Sequence, residues 1–222
     1  KIAAHHGVSP ENVMLGAGSG EILETIGLTY LGDQKKVVGV EPSYAAVYQH
    51  ASGIKADAIL LPLNEDYSQN IPAMIRATNQ NYRDVGFVYM CNPNNPTGRT
   101  VSAREIRQLL DGIPEDMPVL IDEAYHPYCG QTFLNEIPGK GHLAVLRTFS
   151  KLGLAGLRLG FNRPRAVVST DQQSTFAVQH QRVGAGQCPI CTVTCRLVYA
   201  AGREGLHRTP PVAQRPAGIV GA

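Results

Sequence analysis

The chain has no strong excess of either charge: its formal net charge is +2 over 222 residues. That balance gives nucleic acid or an anionic membrane no electrostatic footprint. No apolar run reaches the length of a membrane-spanning helix. No secretory signal opens at Lys1, and a start without methionine is expected to be the interior of a longer chain. Cysteine is scarce where the sequence is most patterned, since of five in all only Cys91 and Cys129 precede residue 188. So few thiols, odd in number, argue against a disulfide scaffold and for a reduced, cytoplasmic protein. Lysine is missing from residues 162–222, where Asp171 and Glu204 are the only acids.

What is present is a regular alternation of strands and helices through residues 1–161. With 43% hydrophobic residues the chain can build a real core, as one large domain or a domain and a half. A helix end from Ile2 to His6 is stopped by Gly7, and a short strand from Asn12 to Leu15 leads into Gly16-Ala17-Gly18-Ser19-Gly20-Glu21. An apolar helix follows from Ile22 to Leu31. Strand, glycine turn and helix start together suit an anion, because free N–H groups and the helix dipole point at it. Further strands are expected from Lys36 to Val40, Ala58 to Leu63, Val85 to Cys91, Val119 to Ile121 and Leu143 to Leu146. Helices are expected from Ala45 to Ala51, Ile71 to Ala77 and Ala103 to Leu110, the last opened by a Ser102–Glu105 capping box. The unbroken apolar run Val85–Cys91 predicts a strand buried on both faces of a parallel sheet. Polar residues follow the carboxyl ends of these strands, where open α/β sheets bind ligands. Ser19, Asn95, Asp122 and Lys151 would converge there.

The stretch Leu146 to Phe161 carries the chemistry. Lys151 stands among small and apolar residues, with Thr148 and Ser150 before it and Arg158 seven positions after it. An amine becomes a nucleophile when desolvation or nearby positive charge keeps it partly deprotonated. Hydroxyls and a guanidinium suit a phosphate dianion. An amine able to form a Schiff base beside a phosphate grip suggests pyridoxal 5'-phosphate (PLP).

With Asn95-Pro96-Thr97-Gly98, Asp122-Glu123-Ala124-Tyr125, and Ser150-Lys151 with Arg158 in that order, the chain resembles the class I/II aminotransferases of PLP fold type I. The loop from Asn92 to Gly98 and the turn from Leu15 to Glu21 are most similar to those of histidinol-phosphate aminotransferases. The resemblance covers residues 1–161. It implies an α/β fold: a three-layer α/β/α large domain with a mostly parallel sheet. It also implies a cytoplasmic homodimer serving histidine biosynthesis. By the resemblance, Lys151 would form the internal aldimine and shuttle the proton, and Asp122 would pair with the pyridine nitrogen. Asn95 and Tyr125 would bond the phenolic oxygen, and Tyr44 would stack on the ring. Ser19, Gly20, Thr148, Ser150 and Arg158 would hold the phosphate, and Glu21 would be cofactor-binding beside them. The implied reaction is ping-pong amino transfer, with glutamate and 2-oxoglutarate on one side and histidinol phosphate and imidazole-acetol phosphate on the other. A fold-type I lyase or decarboxylase shares Lys151, Asp122 and the phosphate grip, and the Asn95–Gly98 loop favours the transferase. A non-catalytic remnant is the third reading.

Two parts of the pattern are absent: an N-terminal arm before Lys1 and a C-terminal small domain after Phe161. Residues 162–222 have no sustained helical periodicity. Cys188-Pro189-Ile190-Cys191 with Cys195 looks like half a zinc or redox site, but no second ligand pair follows, so no metal is assigned. Back-translating Asp171 to Gly186 and reading one base later permits INKVRLPYNINVLAQA, which resembles the segment that such aminotransferases carry after the lysine-to-arginine motif. We therefore read the tail as shifted in frame close to Phe161 and the chain as impaired. Sequencing the codons for Gly160 to Val183 tests this. A single-base change that restores the downstream string is expected, and codons incompatible with that string would refute the shift.

Overall fold

The computed structural model describes residues 1–134, 141–152 and 159–163. They form one seven-stranded sheet between two layers of helices. The strands are β1 (Met14–Ala17), β2 (Lys36–Glu41), β3 (Ala58–Pro62), β4 (Val85–Cys91), β5 (Val119–Asp122), β6 (Leu143–Thr148) and β7 (Leu159–Arg163). Their order is β1-β7-β6-β5-β4-β2-β3. The central pairs β6–β5, β5–β4, β4–β2 and β2–β3 are parallel, whereas β7 runs antiparallel to both its neighbours. The helices are α1 (Ile2–His5), α2 (Ser19–Tyr30), α3 (Ala46–Gly53), α4 (Ile71–Gln80), α5 (Ala103–Gly112) and α6 (His126–Cys129).

The two-residue period of the strands sorts the core into two halves. Phe87, Tyr89, Cys91, Leu120, Ala144 and Leu146 pack on one face against Ile22, Leu23 and Ile26 of α2 and Val47 and Ala51 of α3. Val88, Met90, Val119, Ile121, Leu143 and Val145 pack on the other, against Met74 of α4 and Ile106, Leu109 and Leu110 of α5. Each such aliphatic side chain contributes roughly 1.5–3 kcal/mol when removed from water. β4 is buried along almost its whole length, as its apolar run predicts. Parallel strands need crossover helices, and these cover both faces, so the three-layer α/β/α arrangement follows.

Local signals set the helix starts. The Ser102 hydroxyl accepts from the Glu105 N–H at 3.3 Å while the Glu105 carboxylate accepts from the Ser102 N–H at 2.9 Å, completing the capping box. Asn70 caps α4 through the Ala73 N–H at 3.0 Å. The first strand is displaced from its expected position. Pro10, Glu11 and Asn12 form a short 3-10 turn, closed by Asn12 and Val13 N–H groups on the carbonyls of Ser9 and Pro10. The strand therefore begins at Met14 and takes Gly16 and Ala17 into the sheet. Helix α2 starts at Ser19, three residues before its apolar periodicity begins.

Strand β7 has no counterpart in the sequence-based reading. It inserts between β1 and β6, pairing Leu159 with Ala17 and Gly160 with both Gly16 and Thr148. The expected division after Phe161 falls inside it, because Asn162 pairs with Met14 and Leu146, and Arg163 with Val145. The cysteines of the apparent zinc half-site lie outside the described residues.

Gly86 is where the sheet and α2 meet most closely. A Cβ there would collide with the Tyr30 carbonyl and sit 3.2 Å from Leu31 Cδ2. Gly86→Ala is expected to cost about 1–3 kcal/mol, as overpacking does, read as a lower urea midpoint with an unchanged slope. An unaltered midpoint would show that α2 can move away from β4 freely.

Candidate active site

Strand alternation decides which polar side chains can meet. Asp122 and Thr148 continue the series of β5 and β6 residues facing α2 and α3, and the β4–β5 register sets Cys91 beside Asp122. At that edge the chain leaves each strand, so the strand ends open a cavity of about 280 Å3. Asp122, Tyr125, Thr148, Ser150 and Lys151 line it from β5, β6 and the loops after them. Ser19 and Gly20 line it from the start of α2, and Tyr44 and Cys91 complete the wall.

Asp122 is the floor of this cavity and is 2% exposed. The Tyr89 hydroxyl donates to its Oδ2 and the Ala124 N–H to its Oδ1, each at 3.0 Å. Burial pushes its pKa up to about 6 against these two hydrogen bonds and the weaker influence of the Lys151 charge. The adjacent carboxylate is used differently. Glu123 takes Arg147 at 2.7 Å and also accepts from the Phe133 N–H and the Thr132 hydroxyl. Of two consecutive buried acids, Glu123 is thus neutralised by an arginine, whereas Asp122 has no salt bridge among the described residues.

The anion end is built from backbone. Gly18 precedes α2 with φ 84°, a left-handed conformation that glycine adopts without penalty. No side chain caps this helix start, and Ser19 and Gly20, which carry its first N–H groups and the positive end of its dipole, line the cavity. A Cβ on Gly160 would lie 2.7 Å from both the Gly18 carbonyl carbon and the Ser19 nitrogen. β7 can therefore pack against the turn only as glycine. Across the cavity the Thr148 hydroxyl donates to Ser150 Oγ at 3.0 Å and accepts from the Ser150 N–H at 3.2 Å, which holds both hydroxyls together.

Lys151 sits in a short 3-10 turn, Ser150–Leu152, with its side chain exposed. Its Nζ lies 4.8 Å from the centre of the Tyr125 ring, a cation–π contact worth about 0.5–1 kcal/mol at an exposed site. The Tyr128 hydroxyl donates to the Lys151 carbonyl at 2.8 Å and ties this turn to α6. The desolvation expected around the amine is not supplied by the described residues.

Most of the expected site residues meet in this one cavity: Ser19, Gly20, Tyr44, Asp122, Tyr125, Thr148, Ser150 and Lys151. Glu21 does not line it; its carboxylate turns back to accept from the Ala17 N–H at 2.5 Å and stiffens the glycine turn. Asn95 lines a neighbouring cavity of about 300 Å3, which shares Tyr125 with the first. Arg158 lies outside the described residues. Sequence reasoning missed Tyr89, Cys91 and Gly160. The period-two alternation that puts Tyr89 and Cys91 on the face of Leu120 was the available signal for the first two.

Residues 1–209 match the family described as aminotransferase class I and II. The chain belongs to that family. A curated histidinol-phosphate aminotransferase of Prosthecochloris aestuarii is 38% identical over 160 residues, which is 70% of this chain and 43% of that protein. Among solved structures, a putative histidinol-phosphate aminotransferase from Erwinia carotovora superposes with TM-score 0.69 at 25% identity, covering 82% of this chain and 52% of that one. The histidinol-phosphate aminotransferase from Sinorhizobium meliloti, solved in complex with pyridoxal-5'-phosphate, gives TM-score 0.67 at 26% identity, covering 73% and 45%. This aminotransferase-family chain spans less than half the length of the curated relatives it matches, 43% and 41% of the first two. Among its described residues no group of histidine, cysteine and acids could hold a metal ion, and no helix is long and apolar enough to cross a membrane.

The raised Asp122 pKa has a consequence for stability. The folded chain binds this proton more tightly than the unfolded chain, whose carboxyl titrates near 3.8. The stability it contributes is therefore complete below about 3.8 and is lost as pH rises through about 6. Asp122→Asn in the cofactor-free chain is expected to raise unfolding free energy at pH 7.5 by at most about 3 kcal/mol. That advantage should close as the pH of the denaturation series falls to about 4. A gap that does not change with pH would refute it.

Proposed function

We propose that the cavity takes pyridoxal 5'-phosphate and that the intact protein carries out PLP-dependent amino transfer. The observation that carries this reading is the buried Asp122 carboxylate, held among the described residues by the neutral donors Tyr89 and Ala124, lining the same cavity as Lys151 and the uncapped start of α2. A carboxylate without a cation suits a protonated ring nitrogen, a free helix start with hydroxyls suits a phosphate, and a primary amine suits an aldehyde. Those three requirements belong together in PLP, and the donor set fits it. When bound, this cofactor supplies the carbonyl that exchanges the amino group and the ring that accepts electrons from the substrate α-carbon.

The chain's own residues would then divide the work. Lys151 would hold the cofactor's aldehyde carbon and move the proton at the substrate α-carbon. Asp122 would accept from the ring N–H and keep that nitrogen protonated. Tyr125, with Asn95 from the neighbouring loop, would bond the phenolic oxygen, and Tyr44 would cover the ring. Ser19, Gly20, Thr148, Ser150 and Arg158 would bind the phosphate, the first two through the α2 start. Likeness to histidinol-phosphate aminotransferases supports histidinol phosphate with imidazole-acetol phosphate, and glutamate with 2-oxoglutarate, as the exchanging pairs. A cytoplasmic homodimer is the assembly we assign to the intact parent. The tail reading assigns this 222-residue chain an impaired turnover.

The test uses the full chain. Incubation with PLP, borohydride reduction and peptide mapping should place a pyridoxyl label on Lys151, absent from Lys151→Ala. Adding glutamate to the unreduced complex should then convert the cofactor to its amine form, at a rate limited by the chain's impairment. No label at saturating PLP would overturn the cofactor assignment. Release of carbon dioxide or an elimination product without amino transfer would favour the lyase or decarboxylase reading instead.

A further inference from the structure

We propose that Tyr89 is a positioning residue for Asp122: its buried hydroxyl fixes how the carboxylate faces the cavity and how readily it accepts a proton there. This rests on the PLP reading for its purpose, though not for its geometry.

Tyr89 lies on β4, two residues before Cys91, and its side chain is fully buried. Its hydroxyl meets Asp122 Oδ2 at 3.0 Å while the Ala124 N–H meets Oδ1 at 3.0 Å. One donor on each oxygen fixes the carboxylate plane, since rotation about the last side-chain torsion would break both bonds. Each oxygen keeps a further lone pair, and Asp122 is part of the cavity wall. A partner entering the cavity thus finds an acceptor already oriented.

The tyrosine is itself braced. Tyr48 packs edge-on against its ring, with centroids 5.9 Å apart and planes at 87°. Tyr48 is tied in turn through its hydroxyl to the Val40 carbonyl at 3.1 Å. Gly39 makes room for it: a Cβ there would collide with the Tyr48 hydroxyl. A chain of contacts from β2 through α3 and β4 therefore ends on the Asp122 carboxylate.

A phenol suits this task better than a cation would. An arginine would hold Asp122 as an anion too firmly for it to share a proton with a ring nitrogen, and an apolar residue would leave a buried oxygen unsatisfied. Burial raises the Tyr89 pKa far above the ordinary phenol value, with Asp122, Cys91 and Tyr48 adding to the rise, so Tyr89 remains a neutral donor. Among the described residues, the titratable groups facing Asp122 are Tyr89 and Cys91 on β4 and Lys151 after β6, with Tyr48 of α3 behind Tyr89.

The decisive measurement is a carbon-13 carboxyl titration of the full cofactor-free chain by NMR, with the Asp122 signal assigned by its loss in Asp122→Asn. The wild-type midpoint is expected near about 6. Tyr89→Phe should move it up by at least about half a pH unit, because a bond to the charged form is lost. Uniform 3-fluorotyrosine, a stronger donor of nearly the same shape, should move it down. Shifts of opposite sign distinguish positioning from packing, and the fluorotyrosine arm decides alone if Tyr89→Phe does not fold. A midpoint that stays put under fluorotyrosine overturns the proposal. In parallel, Tyr89→Phe should weaken PLP binding at neutral pH roughly tenfold, and unchanged affinity would overturn the link to the cofactor. Shifted midpoints with no PLP capture by the wild-type chain would overturn the reading of the cavity and support the Tyr89–Asp122 coupling alone.

Discussion

A carboxylate removed from water must be compensated, and the way Asp122 is compensated shapes the rest of the site. Ionised and unpaired, it would cost several kcal/mol. Two neutral donors lower that cost without cancelling it, which is why its pKa remains raised to about 6. The residual cost is a latent affinity for a cation in the cavity. Glu123 shows the alternative outcome one residue later. Its charge is taken up by Arg147, and its oxygens also bind the turn at Thr132 and Phe133, so it braces β5 against β6 and the following loop. The strand end separates the two acids: Asp122 faces the α2–α3 layer and the cavity, while Glu123 is spent on structure.

The sheet extends that arrangement to the other end of the cavity. Parallel strands bring their carboxyl ends to one edge, so Cys91, Asp122 and the segment after Thr148 are neighbours despite wide separation in sequence. β7 adds what the parallel strands cannot. Running back between β1 and β6, it presses Gly160 against the Gly18–Ser19 backbone and holds the start of α2 at the cavity. The Glu21 carboxylate on the Ala17 N–H stiffens the same turn from inside. The positive helix end and the buried negative floor are thus fixed by one sheet, with Lys151 between them on a short turn. A small phosphorylated molecule with a basic ring would satisfy both ends at once.

Sequence alone revealed the alternation, the doubly buried β4, the capping box at Ser102 and the polar strand ends, because each rests on local periodicity or a short-range cap. It missed β7, whose five residues have no distinguishing pattern and are strand only because β1 and β6 offer edges on both sides. It misplaced β1 because the 3-10 turn at Pro10 competes for Asn12 and Val13. For the site, residue type and position at the strand ends pointed to Ser19, Asn95, Asp122 and Lys151, of which Ser19, Asp122 and Lys151 line one cavity. They could not tell that Glu21 turns inward to a backbone N–H, or that Asn95 lines the cavity next door. For Tyr89 the alternation gave the face but not the partner. In an apolar run a tyrosine reads as core, and only the register with β5 shows what its hydroxyl meets.

The site is unevenly buried, and under the proposed function this would separate holding the cofactor from turning it over. Its floor, Asp122 with Tyr89 behind it, is buried and held by two hydrogen bonds, so a ring nitrogen bound there would meet an acceptor already oriented. Its mouth is wet: Lys151, Tyr128 and Leu152 are exposed together above Tyr125. An exposed amine can meet an aldehyde, since that step tolerates water. Moving a proton at a substrate carbon is more demanding, because a nucleophilic lysine gains its basic form by desolvation or a neighbouring cation, and electrostatic help is strongest where water is excluded. The described residues supply the floor and the anion grip but leave that last condition to whatever covers Lys151. Under the proposed function, PLP capture would depend on the sheet, and turnover on whatever covers Lys151.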